Sequence, residues 1–105
     1  MTVPQYALYM SGNGRQTIST PGVAQQLSTT SVPALWVYAT AFHANTGIVT
    51  LGISTTLASS ASRVGIALDK GVSALIPVSN LNSIWMDAVV STEGISYAYY
   101  ITATP

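Results

Sequence analysis

Apolar and polar residues alternate in short runs along most of this chain, with a period of two rather than 3.6. The clearest stretch is residues 84–101. Two runs rich in β-branched and aromatic residues, 84–90 and 95–101, flank the short polar loop Ser91-Thr92-Glu93-Gly94, which is the signal for a β-hairpin. In the first run Ile84, Met86, Ala88 and Val90 share one face, opposite Trp85, Asp87 and Val89. In the second, Ile95, Tyr97, Tyr99 and Ile101 oppose Ser96, Ala98 and Tyr100. Neither run has a plainly polar face, so both faces of this hairpin should be covered. Ile84, Met86, Ala88 and Val90 are expected in the core, with either the Tyr97/Tyr99 face or the Tyr100 face of the second strand. Trp85 and Val89, with Asp87 between them, are expected against a neighbouring subunit or the N-terminal segment.

The same period recurs upstream. Residues 16–19 and 23–27 read as strands around the turn dipeptide Pro21-Gly22. Residues 34–42 form a longer strand with Leu35, Val37, Ala39 and Ala41 on one face and Trp36, Tyr38, Thr40 and Phe42 on the other. Beyond the turn at residues 43–47, residues 48–53 are expected to pair with that strand as a second hairpin. Residues 54–62 are Ser/Thr/Ala-rich and aperiodic, a surface loop. Residues 63–68 and 71–78 are strands joined at Asp69-Lys70-Gly71, with Pro77 restricting the second to an edge or a bulge. These signals predict an all-β fold, an antiparallel β-sandwich or jelly roll of about seven to eight strands.

Residues 1–15 stand apart as an extension, with residues 16–105 as the single sandwich domain. Tyr6, Leu8 and Tyr9 lie in a short apolar piece of this extension, and Ser11-Gly12-Asn13-Gly14 reads as a turn or hinge. Two readings stay open: an extra edge strand on its own domain, or an arm lying on a neighbouring subunit. Met1 to Arg15 has neither a basic start nor a continuous apolar core and is not read as a signal peptide.

Composition changes this picture in one respect. The chain has three basic and three acidic residues, against about a quarter charged in an ordinary domain. Its polar surface is built instead from thirteen Ser and thirteen Thr, with four Asn and four Gln. With zero net charge and no basic cluster, neither a nucleic-acid partner nor electrostatic membrane attachment is expected. Cysteine is absent, which excludes disulfides, thiolate metal sites and Cys nucleophiles.

Candidate chemistry is sparse. His43, the lone histidine, begins a turn, and no Gly-x-Ser-x-Gly elbow accompanies it. Asp69 and Glu93 stand just before glycines, where acids serve turn geometry and solubility. No clustered acids suggest calcium, and no Lys-Ser or Lys-Thr follows the glycines as a phosphate loop requires. No catalytic residue, cofactor or metal is therefore expected. Asp87 is the informative acid, because it interrupts an apolar strand. It faces solvent on an edge, or it pairs with Arg63 or Arg15 within the subunit or across an interface, with Ser and Thr hydroxyls as weaker alternative partners.

Several motifs in order resemble those of small tailed-bacteriophage virion proteins of the head decoration (cement) type. They are residues 23–28 (VAQQLS), the Ser-Val-Pro approach to the strand at 31–38, residues 45–49 (NTGIV), 65–73 (GIALDKGVS), 80–88 (NLNSIWMDA) and 93–97 (EGISY). The resemblance covers residues 16–101. The departure is Trp85, where the family pattern carries a smaller aromatic. The resemblance implies a non-enzymatic protein on the capsid exterior of a virion, bound to the major capsid protein. It also implies a homo-oligomer, with a trimer suited to local three-fold positions. Tyr6, Leu8, Tyr9, Trp36, Tyr38, Trp85, Asp87 and Tyr100 are the candidate interface residues. The alternative is a receptor- or glycan-binding module of a fibre, with Trp36, Tyr38, Trp85 and Tyr100 as a stacking platform.

Overall fold

Eight strands form two sheets, and the computed structural model describes residues 8–102. They are β1 (Leu8–Thr17), β2 (Gln25–Gln26), β3 (Trp36–Ala41), β4 (Val49–Gly52), β5 (Ile66–Leu68), β6 (Ser73–Pro77), β7 (Trp85–Ala88) and β8 (Gly94–Thr102). A single 3₁₀ turn, Leu81–Ser83, precedes β7, capped by the Asn80 side chain accepting from the Asn82 amide. One sheet has the order β1-β8-β3-β6 and the other β2-β7-β4-β5.

This order has a simple origin. β4 pairs with β5, β3 with β6, β2 with β7 and β1 with β8, all antiparallel. The chain is thus one long two-stranded ribbon, closed at the β4–β5 loop and wrapped round its own core. Wrapping adds the β3–β8 and β4–β7 pairings that complete each sheet. The fold is an eight-stranded antiparallel sandwich with jelly-roll winding.

Both expected hairpins are corrected by this topology. β7 and β8 lie in different sheets, and so do β3 and β4. Residues 89–93 carry the chain from one sheet to the other, and their backbone pairs with Ile18: the Thr92 amide donates to the Ile18 carbonyl (2.8 Å) and the Ile18 amide to the Glu93 carbonyl (3.0 Å). Two apolar runs flanking a polar loop bury their inner faces equally well as a hairpin or as an arch across the roughly 10 Å between sheets. The local pattern does not separate the two.

The inner rows follow the alternation. Val37, Ala39 and Ala41 from β3, Val49 and Leu51 from β4, Met86 and Ala88 from β7 and Ile95 from β8 are buried together with Ile18, Leu27, Leu68, Leu81 and Ile84. Tyr97 and Tyr99 pack against this core, so theirs is the inward face of β8 and Tyr100 points out. Val90, expected in the core, lies beyond the end of β7 and is exposed, as is Leu35 ahead of β3.

Residues 11–14 are not a turn. β1 runs through them and across the 15/16 position, with a bulge between Met10 and Gly12. Gly12 and Gly14 stand opposite Tyr99 and Tyr97, and a Cβ on either glycine would run into the tyrosine ring beside it. Each ring thus lies over a glycine of the neighbouring strand, and the missing side chains make room for it.

The tightest approach between β1 and β8 is at Gly94, where a Cβ would collide with the Gln16 carbonyl oxygen and sit 2.8 Å from the Thr17 Cα. The Gly94 carbonyl also accepts from the Phe42 amide (3.1 Å) and the Asn45 side chain (2.9 Å). Because the obstacle is backbone, Gly94→Ala must open the β1–β8 ladder, at a cost of about 2 kcal/mol. Urea unfolding measures it; a variant as stable as the parent would show that this approach is not constrained.

Candidate interaction surface

The two sheets differ in what covers their outer faces. On the β2-β7-β4-β5 sheet, the outward row of β7 carries Trp85 and Asp87, and Asp87 is in register with Thr50 of β4. Both Asp87 and Thr50 are fully buried, because the β4–β5 loop folds back over them with Thr56 and Ala58 also buried. The Asp87 carboxylate accepts the Gly22 amide on Oδ1 and the Ala58 amide on Oδ2, each at 2.9 Å. Thr56 Oγ1 donates to the Val64 carbonyl (2.6 Å) and lies 3.1 Å from Thr50 Oγ1. Arg63 Nε donates to the Ala58 carbonyl (3.0 Å).

Both sequence readings of Asp87 are therefore corrected. It neither faces solvent nor pairs with an arginine; two backbone amides, remote in sequence, hold it. Arg63 reinforces the same loop without touching the carboxylate. The residue is a clasp that ties the 20–22 turn and the β4–β5 loop to the sheet.

The β1-β8-β3-β6 sheet has no such cover among the described residues. Its registers set three outward rows: Met10, Tyr100, Trp36 and Pro77; then Asn13, Ala98, Tyr38 and Leu75; then Arg15, Ser96, Thr40 and Ser73. The face grades from apolar to polar along the strands. Trp36, Tyr38, Leu75 and Tyr100 surround a shallow depression of about 380 Å³, and Met10, Tyr38 and Leu75 are each about half exposed. At the polar end Thr40 and Ser73 share a 2.6 Å hydroxyl contact, and the Arg15 guanidinium lies 4.3 Å above the Phe42 ring.

Of the residues singled out by sequence, Trp36, Tyr38 and Tyr100 are thus brought together on one face. Trp85 is half-buried on the other sheet and cannot join them as a platform. Tyr9 is exposed, but it pairs with Ile101 and so shares the row opposite to Met10 and Trp36. Leu8 begins β1, and Tyr6 lies outside the described residues. Sequence reasoning missed Leu75 and Met10, whose places beside Tyr38 and Tyr100 depend on sheet order.

Glu93 does more than shape a turn. Its carboxylate accepts the Thr46 amide (2.7 Å), the Thr46 hydroxyl (2.9 Å) and the Gly47 amide (2.9 Å), fixing the β3–β4 loop. Desolvation works against the charged form, but the Gly47 and Thr46 donors outweigh it and hold the carboxyl below the usual glutamate value. His43 is exposed and its ring covers Gly71, where a Cβ would sit 2.9 Å from Nδ1. Among the described residues no three His, Cys, Asp or Glu side chains gather as a metal site.

Comparison with protein-family models, with curated proteins and with solved structures finds no match.

Two outcomes follow. Asp87→Ala strands the buried Ala58 amide and the part-buried Gly22 amide and should cost about 2 kcal/mol. The loss should come with faster hydrogen exchange at Gly22 and Ala58; unchanged stability and exchange would remove the clasp role. For Glu93, a lowered folded-state pKa means a stabilising contribution that is complete above the ordinary glutamate range. It is lost as pH falls through the folded value. The acid limb of a stability–pH curve should therefore flatten in Glu93→Gln, and identical limbs would refute the loop anchor.

Proposed function

We propose that this protein is a non-enzymatic structural module of a virion, a decoration protein that binds the major capsid protein on the capsid exterior. The observation that carries the docking part of this reading is the outer face of the β1-β8-β3-β6 sheet, uncovered among the described residues, where Met10, Trp36, Tyr38, Leu75 and Tyr100 lie together. Contiguous exposed apolar area rimmed by polar residues marks protein interfaces, and aromatic residues and Met are enriched at their centres. The virion assignment rests on the order of sequence motifs. With so few charges, such a protein would hold its shell through apolar contact.

Three aromatic side chains round one depression support a second reading, a glycan-binding fibre module in which sugars stack on Trp36, Tyr38 or Tyr100. Tyr38→Arg and Leu75→Glu discriminate, since both positions are exposed and tolerate polar side chains without disturbing the core. On the decoration reading, each variant keeps the parental melting temperature and loses co-sedimentation with shells of the coat protein encoded in the same genome. Shell binding undiminished by both variants refutes the proposed face. Quenching of Trp36 fluorescence by oligosaccharides, with no shell binding at all, replaces the decoration reading with the glycan one.

A further inference from the structure

We infer that β1 is a self-pairing edge, joining two copies of this chain through an antiparallel β1–β1 contact across a two-fold axis at Gly14. This contact lies on a different surface from the proposed shell-binding face and does not depend on it.

The direction of the backbone groups follows from the hydrogen bonds at the end of β1. The amide and carbonyl of Ile18 both engage the chain leading into β8, at Glu93 and Thr92. Alternate residues of an antiparallel strand point their main-chain groups the same way, so Gln16, Gly14 and Gly12 also face β8. Asn13, Arg15 and Thr17 face away from the sheet. The Thr17 amide is taken by Gln16 Oε1 (3.2 Å), whereas the Asn13 and Arg15 groups have no partner among the described residues.

Soluble proteins guard such edges with charge, proline or covering segments. Residues 12–17 of β1 contain no proline and a single charge, Arg15, whose guanidinium lies on the outer face over the Phe42 ring. Gly12 and Gly14 add no side chain, and the bulge that twists this edge lies before them.

These features select a second copy as the partner. The chain has zero net charge, so copies do not repel one another. A two-fold axis normal to the sheet keeps outer faces together, which requires residues on one face to oppose each other. Centring on Arg15 would set the two guanidinium groups face to face. Centring on Gly14 sets Asn13 opposite Arg15 of the second copy, the two positions whose main-chain donors and acceptors are open. The pairing joins two four-stranded sheets into one of eight and makes their outer faces continuous.

Sedimentation over a concentration series, up to the millimolar range, should show a monomer–dimer equilibrium. Asn13→Pro, which deletes an outward donor without touching the β8 ladder, should abolish the dimer at an unchanged melting temperature. The register gives opposite signs to two milder variants that do not test backbone tolerance. Asn13→Asp should tighten the dimer and Asn13→Lys weaken it, each by about fivefold, because position 13 opposes Arg15 of the second copy. A monomer at every concentration, a trimer indifferent to Asn13→Pro, or equal effects of the Asp and Lys variants would each overturn the inference.

Discussion

A buried carboxylate between two backbone amides determines which parts of this protein are surface. Asp87 lies on what would be the solvent face of its sheet, and by accepting from Gly22 and Ala58 it draws a turn and the β4–β5 loop over that face. Hydrogen bonds to a charged acceptor are stronger than neutral ones, and burial raises the cost of leaving any of the three groups unpaired. The centre of one sheet, at Asp87 and Thr50, is therefore covered on both sides by its own chain. Among the described residues the other is covered only from within, so its outer apolar row remains available. The asymmetry between the sheets sets where the described residues leave apolar surface in the open.

How much of this was legible in the sequence depends on the range of the interaction concerned. Period-two alternation located most of the strands, and in β3 it put Val37, Ala39 and Ala41 on one face and Trp36 and Tyr38 on the other; the structure makes the first of these the inner face. Partner choice was not legible. The pairing of β7 with β2 and β4, rather than with β8, follows from the wrapping of the whole ribbon, and residues 89–93 carry no trace of it. The same limit explains Asp87. Its partners are amides of residues 65 and 29 positions away, and any residue type except proline supplies an amide. A search for an oppositely charged side chain was bound to pick the wrong partner.

Gly12 and Gly14 illustrate a different failure. Two glycines around an asparagine locally resemble a turn, and only their opposition to Tyr99 and Tyr97 shows that they clear space for aromatic rings. The candidate surface fell between these cases. Trp36 and Tyr38 share a face by strand parity alone, whereas Tyr100, Leu75 and Met10 join them through registers between strands distant in sequence. Trp85 looked equivalent to them by residue type and parity, and sheet membership separated it.

Four of the six charged residues have local structural roles. Asp87 and Glu93 are committed to backbone amides, Arg63 to a carbonyl and Arg15 to an aromatic ring. These charges organise loops and one edge instead of forming a solvating shell, and hydroxyl side chains supply most of the remaining polarity. Long-range attraction and repulsion are then weak, so the two proposed contacts, an apolar sheet face and an open strand edge, would act through short-range fit. The two surfaces meet along β1, where Met10 extends the aromatic row to the edge of the sheet. Pairing at that edge would place two such rows on one continuous face, making a larger apolar surface from a domain too small to offer one alone.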